Sequence, residues 1–204
     1  RNPNTNPEKF DDNMSVFWKD ESNKWNGKEY VITTDPSTAY LKNPYGGNAG
    51  TAILAHGQYV DAYKLRTHTG YPALSQRGDL CIYRDYDRDN ILFFDVDTIV
   101  CKSTMGINIH RAKKNGADDG QGNTEKIGLY SAGCQVFQNY YCFQEFLDMC
   151  RKQVDLYGDG GFTYTLFDKS LERKFRIKRT IYWTTVLISL GFIGKGVQLR
   201  LKGS

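Results

Sequence analysis

Two residues of this chain are of the right type to do covalent chemistry together. Cys134 stands in "SAGCQVF", residues 131–137, and His110 in "MGINIHR", residues 105–111. A thiol attacks as thiolate, and its ordinary pKa of about 8.5 leaves little of that form at neutral pH, so a cysteine nucleophile needs an imidazole within reach. Of the three histidines, His56 in "LAHGQY" and His68 in "LRTHTG" fall in turn-rich segments. His110 lies in an alternating run beside the glycine-rich loop that leads to Cys134, and is the expected base. The small residues of "SAGC" allow a tight turn, with Cys134 expected near the start of the following helical region. Peptide N–H groups there, the amides of Gly133 and Cys134 among them, would stabilise a thiolate and an oxyanion. The plainer reading makes the thiol a small apolar packing group and the imidazole a satisfied core group. For each residue alone the plain reading prevails; the order of a histidine strand, a glycine-rich loop, an S-x-G-C turn, a helix and a strand favours catalysis.

Several elements must position this pair. Residues 111–130, "RAKKNGADDGQGNTEKIGLY", have the composition of a surface loop that returns the chain to one sheet edge. After the cysteine, Phe143, Phe146, Leu147, Cys150 and Val154 repeat at helical spacing, with Asn139 placed to cap the helix and Gly158 to stop it. Cys142 and Cys150 belong to that helix as packing groups. "GFTYTLF", residues 161–167, reads as a strand. From Val16 onward, short alternating runs are separated by turn residues, as in consecutive hairpins. These features predict a mainly β chain with one or two helices, of the α+β class. The expected parts are a polar N-terminal arm over residues 1–15, a catalytic domain over 16–168, and a basic and apolar extension over 169–204.

Composition removes other functions. The excess of 27 basic over 23 acidic residues is mild, and no nucleic-acid-binding motif accompanies it. Five cysteines without a C-x-x-C pair argue against a structural zinc site and leave at least one thiol free. The pairing of Cys81 and Cys101 stays open. Asp85, Asp87 and Asp89 open a calcium-loop pattern that fails at its sixth position, Asn90, and its twelfth, Val96; an acidic solvated turn is expected instead. No metal and no cofactor is expected. The apolar run Ile181–Gly194 is shorter than the roughly 20 residues that span a bilayer, so spanning is disfavoured against docking or interfacial anchoring. The chain opens on Arg1 and shows no signal peptide, as expected of a processed chain or a piece of a longer one.

"INIHRA", followed by a loop and "IGLYSAGCQVFQN", resembles the signature of the L,D-transpeptidase (YkuD-like) catalytic domain, in which an "IHG" strand precedes "S-H-G-C-I-R" and a helix. On that resemblance His110 matches the catalytic histidine, Cys134 the nucleophile, Gly133 the glycine before it and Ser131 the leading Ser/Thr. It implies a mixed β-sandwich acting on peptidoglycan stem peptides through a thioester, in a periplasmic, extracellular or virion-associated setting. Where the family has histidine, arginine and glycine, this chain has Ala132, Val136 and Arg111. Loss of the arginine after the nucleophile favours hydrolysis by water over transfer to an amine, with Arg111 or Gln135 as substitute contacts for substrate. The alternative is a catalytically retired structural or binding module, with a protein partner held by the N-terminal arm or the C-terminal segment.

Overall fold

The computed structural model describes residues 1–2, 6–45, 47–113 and 120–168. The expected extension, with its apolar run Ile181–Gly194, lies outside the described residues. Among the described residues, strand outnumbers helix, 39% against 18%, with two α-helices, so this part is mainly β, as its turn-punctuated alternating runs require.

Among the described residues, the larger sheet has seven strands. A long hairpin, β1 (Asp12–Lys19) and β2 (Trp25–Thr33), forms one side. β4 (Gly57–His68) and β5 (Tyr71–Gln76) form a second hairpin. Its two-residue turn has both φ angles positive, 44° at Thr69 and 87° at Gly70, the conformation that matches strand twist in short hairpins. Between the hairpins lie two three-residue strands, β8 (Ile109–Arg111) and β9 (Gln135–Phe137), and β10 (Phe162–Leu166) closes the far edge against β4. The smaller sheet joins β3 (Thr51–Leu54), β6 (Leu80–Asp85) and β7 (Val100–Lys102).

The long helix α2 (Tyr140–Tyr157) follows a short α1 (Thr38–Lys42) and runs as its apolar spacing predicts. Asn139 caps it, its side-chain oxygen accepting from the amides of Tyr141 and Cys142 at 2.9 and 3.0 Å. Gly158, with φ 79°, ends it. Phe143, Phe146, Leu147 and Cys150 bury against the larger sheet, and the Phe137 ring of β9 lies 5.3 Å from Phe143 and 4.9 Å from Phe146. Phe10, Ala112, Ile127 and Val136 form a second apolar cluster, against which Cys134 packs. β8 and β9 are thus covered on both faces.

The described residues of the expected N-terminal arm, 1–2 and 6–15, lie on the domain, and the boundary drawn at residue 15 falls inside β1. Two apolar anchors hold them, Phe10 and Met14, both buried. The buried Asp12 carboxylate accepts from the amide and hydroxyl of Thr34 at 2.9 and 2.6 Å, and the Arg1 guanidinium meets Asp35 at 2.7 Å. A polar segment is ordered here because its polar atoms are paired inside the fold. In the acidic turn, Asp87 and Asp89 accept backbone amides two residues on, and the described residues contain no group of three or more His, Cys, Asp or Glu set to hold a metal ion.

Cys81 and Cys101, opposite each other in the β6–β7 register, form a disulfide. It closes a loop of 20 residues, a constraint on the unfolded chain worth about 3 kcal/mol. Replacing both cysteines by serine is expected to lower the unfolding free energy by about that amount, read by urea denaturation. An unchanged midpoint would remove the disulfide from the fold's stability.

Candidate active site

The site begins with a pairing of neighbours. β8 and β9 run parallel, with Ile109 opposite Gln135, His110 opposite Val136 and Arg111 opposite Phe137; the other described strand pairs are antiparallel. The Gln135 amide donates to the Asn108 carbonyl at 2.9 Å, which sets Asn108 beside Cys134. Side chains alternate along a strand, and register partners share a face. Ile109 and Phe137 therefore face α2, while His110 and Cys134 share the opposite face with Ala112 and Val136.

Cys134 is half-buried and carries a free thiol. Its sulfur accepts from the Asn108 amide at 3.4 Å and lies 3.5 Å from the Gly106 carbonyl. Burial pushes the thiol up to about 11, with the Asn108 amide pulling the other way. The resting group is a thiol whose proton is directed at Gly106. The expected help from a helix N-terminus is absent: β9 follows Cys134 directly, α2 starts only at Tyr140, and its first amides are taken by Asn139. A three-residue strand between the turn and the helix leaves the sulfur outside the helix field, which falls off within one turn.

His110 is 6% exposed, and burial, with smaller effects from His68 and Arg111, brings its pKa down to about 4. Its Nδ1 lies 2.8 Å from the Arg111 carbonyl oxygen. A carbonyl only accepts, so Nδ1 carries the proton and Nε2 keeps its lone pair. The imidazole is neutral at pH 7, in the tautomer a general base requires. The orienting group is a backbone carbonyl supplied by the neighbouring residue.

Ser131 and Gly133 shape the turn that presents the sulfur. The Ser131 hydroxyl is fully buried, 2.8 Å from the Asp35 carbonyl and 2.9 Å from that of Cys134, and accepts the Gly133 amide at 3.2 Å. Gly133 has φ 119°, and a Cβ there would stand 2.3 Å from the Ala52 carbonyl of β3, so only glycine fits. Because Gly133 spends its amide on Ser131, the expected oxyanion pair reduces to the Cys134 amide, which has no acceptor among the described residues.

The two expected substrate contacts separate. Gln135 is fully buried, its amide nitrogen donating to the Gly133 carbonyl at 3.3 Å and its oxygen accepting from the Tyr164 hydroxyl at 2.9 Å. Strand alternation turns it away from Cys134, which corrects its assignment as a substrate contact. Arg111 is half-exposed, with its guanidinium 4.0 Å from the centre of the Tyr71 ring and one N–H on the Ala112 carbonyl. One residue that the sequence places in a turn lies beside His110. His68, at the end of β4, stacks on His110 with ring centres 5.0 Å apart and planes 28° apart. The signal for it was its place at a two-residue hairpin turn, which ends a strand and does not form a loop.

No family model, curated protein or solved structure matches the chain.

The lowered pKa of His110 makes stability depend on pH. The unfolded imidazole takes its proton near 6.5 and the folded one near 4, so a contribution present above pH 6.5 is lost as pH falls towards 4. The full span is about 3 kcal/mol. Comparing urea unfolding at pH 7 and pH 4.5, His110→Gln is expected to flatten most of that fall; an equal fall in both proteins would contradict the buried neutral imidazole. Ser131→Ala is expected to cost about 1–3 kcal/mol by leaving buried partners unsatisfied, and Gly133→Ala to fold poorly, both read by thermal unfolding.

Proposed function

We propose that this chain is a cysteine hydrolase of the YkuD-like, L,D-transpeptidase type, acting on peptidoglycan stem peptides. The observation that carries the reading is the neutral His110, its Nε2 free to accept, on the same sheet face as the half-buried thiol of Cys134. The mixed sheet with α2 packed across β8 and β9 supports the YkuD-like architecture. In the proposed reaction His110 Nε2 takes the Cys134 proton as the sulfur electron pair attacks the peptide carbonyl carbon. The carbonyl π pair moves onto oxygen, next to the Cys134 amide. Collapse expels the amine, which takes the proton from His110 and leaves a thioester that water hydrolyses. Since thiol and imidazole are both neutral at rest, proton transfer belongs to the attack and no preformed ion pair is required.

Water as acceptor is favoured by the replacement of the family's arginine with Val136. The Arg111 side chain stands on β8 against the Tyr71 and Tyr140 rings, and as the register partner of Phe137 it faces α2, away from the sulfur. A second reading, a retired binding module, draws on the thiol proton being directed at the Gly106 carbonyl.

Digestion of purified peptidoglycan with wild type and Cys134→Ala, read by mass spectrometry of the muropeptides, tests the proposal. New peptide ends with wild type alone are expected, and their masses identify the bond. No new ends, or equal ends from both proteins, would favour the retired module or a different substrate.

A further inference from the structure

His68 lies outside the Cys134–His110 pair, yet three contacts hold it at the site. The Asn108 side-chain oxygen accepts from the Gln76 amide at 2.9 Å. That bond fixes which end of the amide faces which way, and its nitrogen then lies 3.2 Å from His68 Nδ1. An amide nitrogen only donates, so His68 Nδ1 is an acceptor and its proton sits on Nε2. The same Asn108 donates its backbone amide to the Cys134 sulfur. A single residue thus holds the sulfur with its main chain and sets the tautomer of the second imidazole with its side chain. The His68 ring lies flat on His110 and edge-on to Tyr71 at 5.8 Å, which leaves it little freedom to turn over.

The two imidazoles therefore carry opposite tautomers. His110, with Nδ1–H on the Arg111 carbonyl, offers a lone pair at Nε2; His68, with Nδ1 accepting from Asn108, offers an N–H at Nε2. The gap at the site is a donor. Gly133 gives its amide to Ser131, which leaves the Cys134 amide as the backbone donor beside the sulfur, whereas acyl-transfer sites commonly aim two donors at the developing oxyanion.

We propose that His68 is a catalytic residue, whose Nε2–H is the second hydrogen-bond donor to the oxyanion formed when Cys134 attacks a peptide carbonyl. It donates a hydrogen bond and transfers no proton; the thiol proton goes to His110 and from there to the leaving amine. Burial lowers the pKa of His68, in keeping with a neutral donor beside a base that must itself accept charge. The assignment rests on the peptidase reading above.

Two measurements test it and separate its failure from failure of that reading. Nitrogen-15 imidazole spectra of the whole chain at pH 7 should place the proton on Nε2 of His68 and on Nδ1 of His110, and Asn108→Leu should release the His68 tautomer without moving that of His110. This readout needs no turnover. A His68 proton on Nδ1 would overturn the proposal whether or not the protein cleaves anything. In stem-peptide hydrolysis, His68→Phe, which keeps a stacked ring and removes the donor, should lower kcat about 10²-fold with little change in KM, and His68→Gln, which restores an N–H, should recover part of it. Alkylation of Cys134 by iodoacetamide forms no oxyanion and should fall far less in His68→Phe than hydrolysis does. Equal losses in both reactions would make His68 a packing residue.

Discussion

The parallel pairing of β8 with β9 is the contact on which the site depends. Only three residues on each strand take part, yet that register puts Asn108 beside Cys134 and His110 diagonally across from it, on one face. A shift of one residue would turn either the imidazole or the sulfur towards α2. Such short strands cannot hold their register alone. They are clamped by Phe137 among the rings of α2 on one face and by Val136 with Phe10 and Ile127 on the other. The hydrophobic contacts that stabilise the centre of the sheet are the ones that place His110 and Cys134 on one face.

A second tier of polar contacts supports the turn before β9. The Arg1 guanidinium pairs with Asp35 inside the protein, the Asp35 carbonyl lies on the Ser131 hydroxyl, and that hydroxyl accepts the Gly133 amide. The Ser37 amide adds a bond to the Ser131 carbonyl at 2.9 Å. These groups touch no reacting atom in the proposed chemistry. They hold Gly133 against the Ala52 carbonyl, where the lack of a side chain lets the backbone pass. The stability cost of such buried polar groups is tolerable because they are satisfied by one another.

Much of this arrangement could be read from the residues, with physical reasons for the rest. α2 was legible from its cap to its stop because a helix of 18 residues carries its own period and its own terminators. The placing of His110 and Cys134 on one sheet face was legible from type and order. The parallel register was not: three-residue strands have no period to read, and their partner is set by the surrounding packing. His68 looks like a turn residue in sequence, because a strand that ends at a two-residue hairpin resembles a loop. The segment around Asp12 has the composition of an arm, because hydropathy does not register a carboxylate whose partner Thr34 lies 22 residues away. The helix-assisted thiolate failed for a local reason, the intervening β9.

The central claim is that His110 deprotonates Cys134. It is tested most directly by the rate at which Cys134 is alkylated at pH 7, followed by peptide mass mapping so that Cys142 and Cys150, also free, are scored separately. With a thiol held near 11, reaction at neutral pH depends on a base, and replacing His110 by alanine is predicted to slow modification of Cys134 by about 10²-fold while leaving Cys142 and Cys150 unchanged. Modification of Cys134 at the same rate in both proteins would contradict the account.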